Sequence, residues 1–257
     1  MVLTVDVGNT NIAFGIWGGD DWVEHWRLHT DPEQTSDEYF VLFQNLIGLS
    51  EHHPADFRRV VISSVVPALT PTIVRVAERL TGKEPLLVNH TMKTGLDPGT
   101  PIPPELGNDL LANAVAAYHR TRDGAIVVDF GTALSFTAVS ATGVILGVNI
   151  APGLRSAVRS LSSSTSQLPI VDLTPPPHAL ARTTEHAIQG GVVYGYVGLV
   201  KEVIRRMSDE MEGTPRVLAT GGLAETFAPT AGCFDEVDQW LTLDGLRILA
   251  DLNPPEG

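Results

Sequence analysis

Hydrophobic and polar positions along this chain fall into two kinds of segment that take turns. Apolar runs of four to eight residues, rich in Val and Ile and closed by Gly, Asp or Ser, occupy 2–7, 11–17, 59–66, 125–130, 135–140, 144–150 and 216–220. Runs of that length and makeup predict strands. Trp22 and Trp26 alternate on a further strand, where packing is a simpler role for them than binding. Between the runs, 36–49, 69–81, 108–121, 154–161, 183–207 and 243–251 read as helices, the first capped by Thr35 or Ser36. Strand and helix alternate, so the class is α/β. Proline content alone makes LTPPPHAL, 173–180, a loop that connects two subregions.

A longer period overlies this alternation. Residues 6–14, DVGNTNIAF, and 129–136, DFGTALSF, each follow an apolar strand and share Asp-x-Gly-[Asn/Thr], 123 positions apart. Asp-x-Gly turns are common, so coincidence is one reading. The other is a duplication in which each half opens with a strand, a turn and a strand built around an aspartate. It implies an N-terminal half, 1–121, and a C-terminal half, 122–257. The 257 residues suffice for one large domain or for two smaller ones.

Composition narrows the function classes. Formal charge is −13 and only three lysines are present, so a phosphate-backbone contact surface is disfavoured by repulsion and nucleic acid is excluded as a partner. An anionic small molecule would need backbone N–H groups, local arginines or bound cations to offset that field. No apolar run approaches the roughly 20 residues of a membrane-spanning helix, and Asp6 and Asn9 interrupt the first apolar run, unlike a secretory signal. The expectation is a cytoplasmic protein with no membrane partner. Cys233 stands alone, and no Cys/His spacing resembles a zinc site.

The candidate chemistry lies in three glycine turns and a helix start. Gly8, Gly131 and the Gly221-Gly222 pair of LATGGLAE each follow an apolar strand, and glycine lets backbone N–H groups approach phosphate oxygens with no Cβ in the way. Each turn alone is as well explained structurally; three together suggest a nucleotide site. Neither a Walker A pattern nor G-x-G-x-x-G occurs. Asp6 and Asp129 at strand ends suit magnesium, which takes one or two carboxylates plus substrate phosphates, or else bond the N–H groups of their own turns. In ELGNDLLANAVAAYHR, 105–120, Leu111, Ala114, Val115 and Tyr118 form an apolar face. Asp109 there is either a helix cap or a general base that accepts the proton of a bound hydroxyl during phosphoryl transfer. Small residues around Tyr194 and Tyr196 permit close helix packing, at a dimer contact or in the core.

DVGNTNIAFGIW, WRLHTDPEQTSDEYF, VVISSVVP, GND before a helix, VVDFGTALSF, IAPGL, TTEHAIQGGVVYGYVGLV, ATGGLA and LTLDGL run in one order along nearly the whole chain. The series resembles the type III pantothenate kinases, of the acetate kinase, sugar kinase, heat-shock protein 70 and actin superfamily. The resemblance implies two ribonuclease-H-like (actin-like ATPase) halves related by duplication and clasping ATP. It also implies a homodimer with the pantothenate pocket at or near the subunit interface, and use of Mg2+ with a monovalent cation (K+ or NH4+). By the same resemblance Asp6 holds magnesium, Asn9 and Thr10 with Gly8 bind terminal phosphate oxygens, and Gly131 and Thr132 do likewise. Asp129 shares metal or cation duty, and Gly221 and Gly222 line the adenosine side. Asp109, after Gly107, matches the general base, and Thr184 the threonine that contacts pantothenate. The implied reaction is ATP-dependent phosphorylation of pantothenate, the first step toward coenzyme A.

Three positions depart from the family pattern. Gly-x-Asp-Arg is Gly107-Asn108-Asp109-Leu110 here, a usual tyrosine is Thr100, and a usual aspartate is Thr137. A lost bidentate cation removes charge-assisted bonds of roughly 1.5 to 3 kcal/mol. Arg155, Arg159 and Arg182 are the replacements within reach of sequence reasoning, Arg182 first because it is nearest Thr184. Besides the kinase, two alternatives stand: a catalytically weak relative acting as a nucleotide-binding regulatory protein, and a kinase for a different small hydroxy acid.

Overall fold

The computed structural model describes residues 1–50, 52–165 and 167–255. Its order begins with β1 (Val2–Val7), β2 (Asn11–Trp17), β3 (Trp22–His29), α1 (Ser36–Gly48), β4 (Arg59–Ser64), α2 (Thr70–Thr81), β5 (Leu86–Leu87) and α3 (Asn108–Thr121). It continues with β6 (Ala125–Phe130), β7 (Ala133–Val139), β8 (Ile145–Pro152), α4 (Leu154–Ser164), α5 (Thr184–Glu210), β9 (Arg216–Thr220), α6 (Ala224–Ala231), β10 (Glu236–Val237) and α7 (Leu241–Leu252). One sheet runs β3-β2-β1-β4-β5 and the other β10-β9-β6-β7-β8. Read from the central strands β1 and β6, the two orders are the same. In each, a three-stranded antiparallel meander is followed by two strands parallel to the first. Duplication, one of the two readings of the 123-residue repeat, is therefore the correct one.

Contacts divide the chain into two compact units, Met1–Ala116 with Thr242–Gly257, and Ala117–Leu241. The change of unit falls inside α3, and α7 belongs with the first unit, whereas a split at 121/122 assigns it to the second. The reason is a tertiary contact that no local pattern records. Gly245 of α7 lies against the backbone of Ala112 in α3, and Thr242 Oγ1 donates to Asn113 Oδ1 at 2.8 Å.

In the first unit the central parallel pair β1 and β4 buries both faces, as strands covered by helices do, whereas the edge strand β3 is largely open to solvent. β1 exposes only part of Asp6, its other five residues being buried. Leu3, Val5, Phe14 and Ile62 meet Phe43 and Ile73 of the covering helices, and Phe14 stacks on Phe43 at 4.3 Å. Each such side chain contributes about 1.5–3 kcal/mol on burial. Thr35, not Ser36, caps α1: its hydroxyl accepts from the Glu38 N–H while the Glu38 carboxylate accepts from the Thr35 N–H at 2.8 Å. Trp26 packs on Phe14 at 5.1 Å and Trp22 on Trp17 at 5.4 Å.

The second unit repeats the scheme with Val128, Phe136, Val193, Val200 and Phe227 in its core. β6 shows the same burial pattern as β1, residue for residue, with Asp129 in the place of Asp6. The 173–180 segment is a loop, as expected, but it joins α4 to α5 within the second unit and does not connect two subregions. Gln189 of α5 holds this stretch through bonds to the Asp172 carbonyl and the Thr174 hydroxyl.

Candidate active site

In the first unit the candidate site residues gather at the ends of β1 and β4. Gly8 N–H donates to the Asn11 carbonyl at 3.0 Å, closing the β1–β2 turn and leaving Asn9 exposed at its tip. Thr30 pins the turn from β3's end: its hydroxyl donates to the Gly8 carbonyl at 2.7 Å and its N–H to the Thr10 carbonyl at 3.0 Å. Asp6 is paired in register with Ser63 of β4, and the fully buried Ser63 hydroxyl donates to Asp6 Oδ1 at 2.8 Å. That bond fixes the carboxylate's direction. One carboxylate oxygen array at the edge of a buried strand suits magnesium, a hard cation that keeps several waters and takes oxygen ligands.

The start of α3 adjoins the same strand end. Asn108 Nδ2 donates to the Ser64 carbonyl at 3.4 Å, and Asp109 Oδ1 accepts from the Leu110 N–H at 2.8 Å. Gly107 sits so close to Asp109 Oδ1 that a Cβ there would collide with it. The Asp109 carboxyl is thus folded over a glycine and largely enclosed by protein. Burial pushes its pKa above the ordinary 3.8, against the opposing pull of backbone N–H bonds at the helix start. A raised carboxylate pKa is what a general base working near neutrality needs. Asp109 is the second residue of α3 and accepts from the N–H of its neighbour Leu110, so it is not the N-cap, a position that falls on Gly107. Its desolvation is a further feature that capping would not explain.

The second unit builds the equivalent from other side chains. Asp129 is paired in register with Thr220 of β9, as Asp6 is with Ser63. Gly221 follows with φ +90, and a Cβ there would stand 2.5 Å from Asp129 Oδ1 and 2.7 Å from the Phe130 carbonyl carbon. Gly153 at the start of α4 presses on the Gly131 and Thr132 carbonyls, and Ser156 Oγ donates to the Thr132 carbonyl at 3.2 Å. Gly131 and Thr132 are themselves exposed, and Gly222 follows Gly221 in the turn before α6. Gly221→Ala should therefore lose nucleotide affinity by tenfold or more while the chain still folds, because the left-handed backbone and the crowded Asp129 resist a Cβ at roughly 1–2 kcal/mol; titration calorimetry with an ATP analogue measures it.

Thr184 opens α5 beside its cap Thr183 and lines an open groove of about 500 Å³ with Leu161, Leu168, Ile188, Val192 and Tyr196. The three departures have structural settings. Leu110 is buried on the core side of α3, and Thr137 is buried in β7. Thr100 closes a turn by donating to Asp97 Oδ2 at 2.8 Å. Arg155, Arg159 and Arg182 are all exposed. Among the described residues, no group of three or more His, Cys, Asp or Glu side chains is placed to hold a metal, and no helix is long and apolar enough to cross a membrane.

Sequence reasoning missed Ser63, Thr220 and Gly153. A signal for the first two exists in the likeness of RVVISS at 59–64 to RVLAT at 216–220. The two segments lie at different distances from their aspartates in sequence, but each pairs in the same register with its aspartate strand, Arg59 opposite Val2 and Arg216 opposite Ala125, and each ends in a hydroxyl.

The fold is the duplicated α/β fold of actin-like ATPases. Solved structures with it include the activator of 2-hydroxyisocaproyl-CoA dehydratase from Clostridium difficile with bound ADPNP (TM-score 0.55, 12% identity, 97% of this chain and 93% of that one). Another is MreB 5 of Spiroplasma citri bound to AMPPNP (TM-score 0.50, 10% identity, 97% and 96%). Within this class the relationship is closer to one group. The family model for type III pantothenate kinase matches residues 2–206, and a type III pantothenate kinase of Geobacter sulfurreducens is 44% identical over 253 residues, 98% of this chain and 99% of that protein. The chain belongs to the type III pantothenate kinase family.

Proposed function

We propose that this protein transfers the γ-phosphoryl group of ATP to the primary hydroxyl of pantothenate, giving 4'-phosphopantothenate at the first step of coenzyme A synthesis in the cytoplasm. The observation that carries the reading is the desolvated Asp109 carboxyl at the start of α3, in a chain that is 44% identical to a type III pantothenate kinase. Asp109 accepts the hydroxyl proton as the oxygen attacks the phosphorus. Asp6, held by Ser63, is the magnesium ligand, with Asp129 sharing metal or monovalent-cation duty; the metal when bound offsets the charge of the phosphates. The Gly8, Asn9, Thr10 turn and the Gly131, Thr132 turn offer N–H groups to phosphate oxygens, and Gly221 and Gly222 flank the adenosine.

Thr184 takes the pantothenate, and Arg182, two residues earlier and exposed, supplies the cation that Leu110 does not. We assign the α5 face to a homodimer contact. Gly191, Gly195 and Gly198 have nothing within 4 Å of a notional Cβ, so a second helix can approach closely there.

The test is ATP consumption with Mg2+ and K+ present, comparing pantothenate with a panel of related hydroxy acids. Turnover with pantothenate is expected, together with an Arg182→Ala variant whose pantothenate KM rises about tenfold with kcat nearly unchanged. Turnover of another hydroxy acid alone would reassign the substrate. Nucleotide binding without turnover of any acceptor would make the protein a regulatory relative.

A further inference from the structure

Two strand-end aspartates in this fold face a hydroxyl on the neighbouring parallel strand, and the two pairs differ in one respect. Asp6 pairs in register with Ser63, and Asp129 with Thr220. Residues directly paired across parallel strands project to the same side of the sheet. In the first pair the Ser63 hydroxyl donates to the carboxylate at 2.8 Å. In the second, Thr220 is fully buried and its Oγ1 has no hydrogen-bond partner.

A buried hydroxyl left without a partner is less stable than a methyl group of the same shape in the same place, because it has given up its bonds to water and gained none. A valine would fill the site without that penalty, and β-branched Val suits a central strand as well as Thr does. Ordinary packing therefore gives no reason for a hydroxyl here. The residue that follows supplies one. Gly221 has φ +90 and leaves only 2.5 Å between a notional Cβ and Asp129 Oδ1, so the turn after Thr220 is shaped around that carboxylate.

We propose that Thr220 is a positioning residue for Asp129: its hydroxyl donates to the carboxylate when Asp129 engages the metal–nucleotide complex, as Ser63 already does for Asp6. The unbound state carries an unsatisfied donor, and ligand binding relieves it. This rests on the nucleotide-binding role proposed above for Asp129 and adds a second residue to it. Thr220 acts through Asp129 and touches neither reactant.

The experiment uses the full-length chain and three variants, Thr220→Val, Thr220→Ser and Ser63→Ala, with two readouts. Calorimetric affinity for AMPPNP is measured with Mg2+ and again in EDTA, and the thermal midpoint is measured without ligand. Thr220→Val is expected to bind Mg2+–AMPPNP about tenfold more weakly, the scale of one hydrogen bond to a charged group. Its ligand-free midpoint is expected to equal or exceed that of the parent chain, since an orphan hydroxyl has been removed. Thr220→Ser should restore affinity to within about threefold, and the affinity gap should close in EDTA. Ser63→Ala, which removes a bond already made, should instead lower the ligand-free midpoint. The proposal is overturned if Thr220→Val binds as tightly as the parent. It is equally overturned if the variant loses affinity and stability together without rescue by Ser, or loses the same affinity in EDTA, which would place the hydroxyl on the nucleotide itself. Failure of the parent chain to bind AMPPNP at all would strike the underlying nucleotide-binding reading instead.

Discussion

Asp109→Asn is expected to lower kcat with pantothenate by about 10³-fold, within the range that a positioned general base supplies, and to raise the thermal midpoint at pH 7. Both follow from one feature, the enclosure of the Asp109 carboxyl over Gly107 at the start of α3. In the unfolded chain the group loses its proton at the ordinary carboxylate value of 3.8, whereas in the folded chain desolvation holds the proton to higher pH. Ionisation therefore opposes folding: stability falls as the pH rises from 3.8 through the folded-state pKa, and the penalty stays constant above it. Asparagine keeps the acceptor for the Leu110 N–H and never ionises. The stability gain of the variant should accordingly be full at pH 7 and shrink as the pH is lowered toward 3.8. Paired melting curves across that interval check the sign, and single-turnover rates check the base. A variant as active as the parent would remove Asp109 from the chemistry. A variant less stable than the parent at pH 7 would mean that the carboxylate's helix-start bonds outweigh its desolvation.

The acid side of the kinetic profile should carry the same group. kcat/KM is expected to fall with decreasing pH as Asp109 takes up its proton, with the inflection above the ordinary carboxylate range.

Much of this was legible in the sequence because it is local. An aspartate that ends an apolar run, a glycine two positions later, and a second such pair 123 residues on are all written in consecutive letters, and β1, β2, β6 and β9 fall on the predicted runs. What the sequence concealed is of three kinds. β5 and β10 have two residues each, too few to display an alternation of period two. The exact range of α6 was obscured by Pro229 inside it, a residue that ordinarily argues against a helix interior. Cross-strand partners were hidden because pairing is not a property of either strand alone. Ser63 reads as one of two serines in VVISSVVP until β4 is laid against β1, and only then does it face Asp6. Leu110 shows the converse. As a letter it is a missing arginine, whereas in the fold it is a well-buried residue on a helix whose positions 111 to 117 are largely buried as well.

The placement of α7 leads to the largest stability effect. In α7 Leu243, Leu246 and Leu249 are buried, and Gly245 lies among them against α3. A Cβ on Gly245 would overlap the Ala112 carbonyl oxygen and stand 2.6 Å from its carbonyl carbon. Backbone in the middle of a buried helix cannot swing aside as a flexible side chain does, so Gly245→Ala must force the two helices apart. In an exposed helix the same change would gain up to about 1 kcal/mol from propensity. Here overpacking, which costs 1–3 kcal/mol at ordinary core sites and more against backbone, wins, and the net loss is roughly 3 kcal/mol. For a unit of this size that corresponds to a fall in the melting transition of very roughly 10 °C. The strain acts on the helix that carries Asp109 three residues before Ala112, so kcat should fall as well, while affinity for ADP, whose proposed glycines Gly221 and Gly222 lie in the second unit, should change little. Thr242→Val separates the two causes: it removes the bond to Asn113 at 2.8 Å without adding volume, and it should cost only about 1 kcal/mol. If Gly245→Ala melts no lower than Thr242→Val, the close approach of α7 to α3 is not what holds the last helix in the first unit.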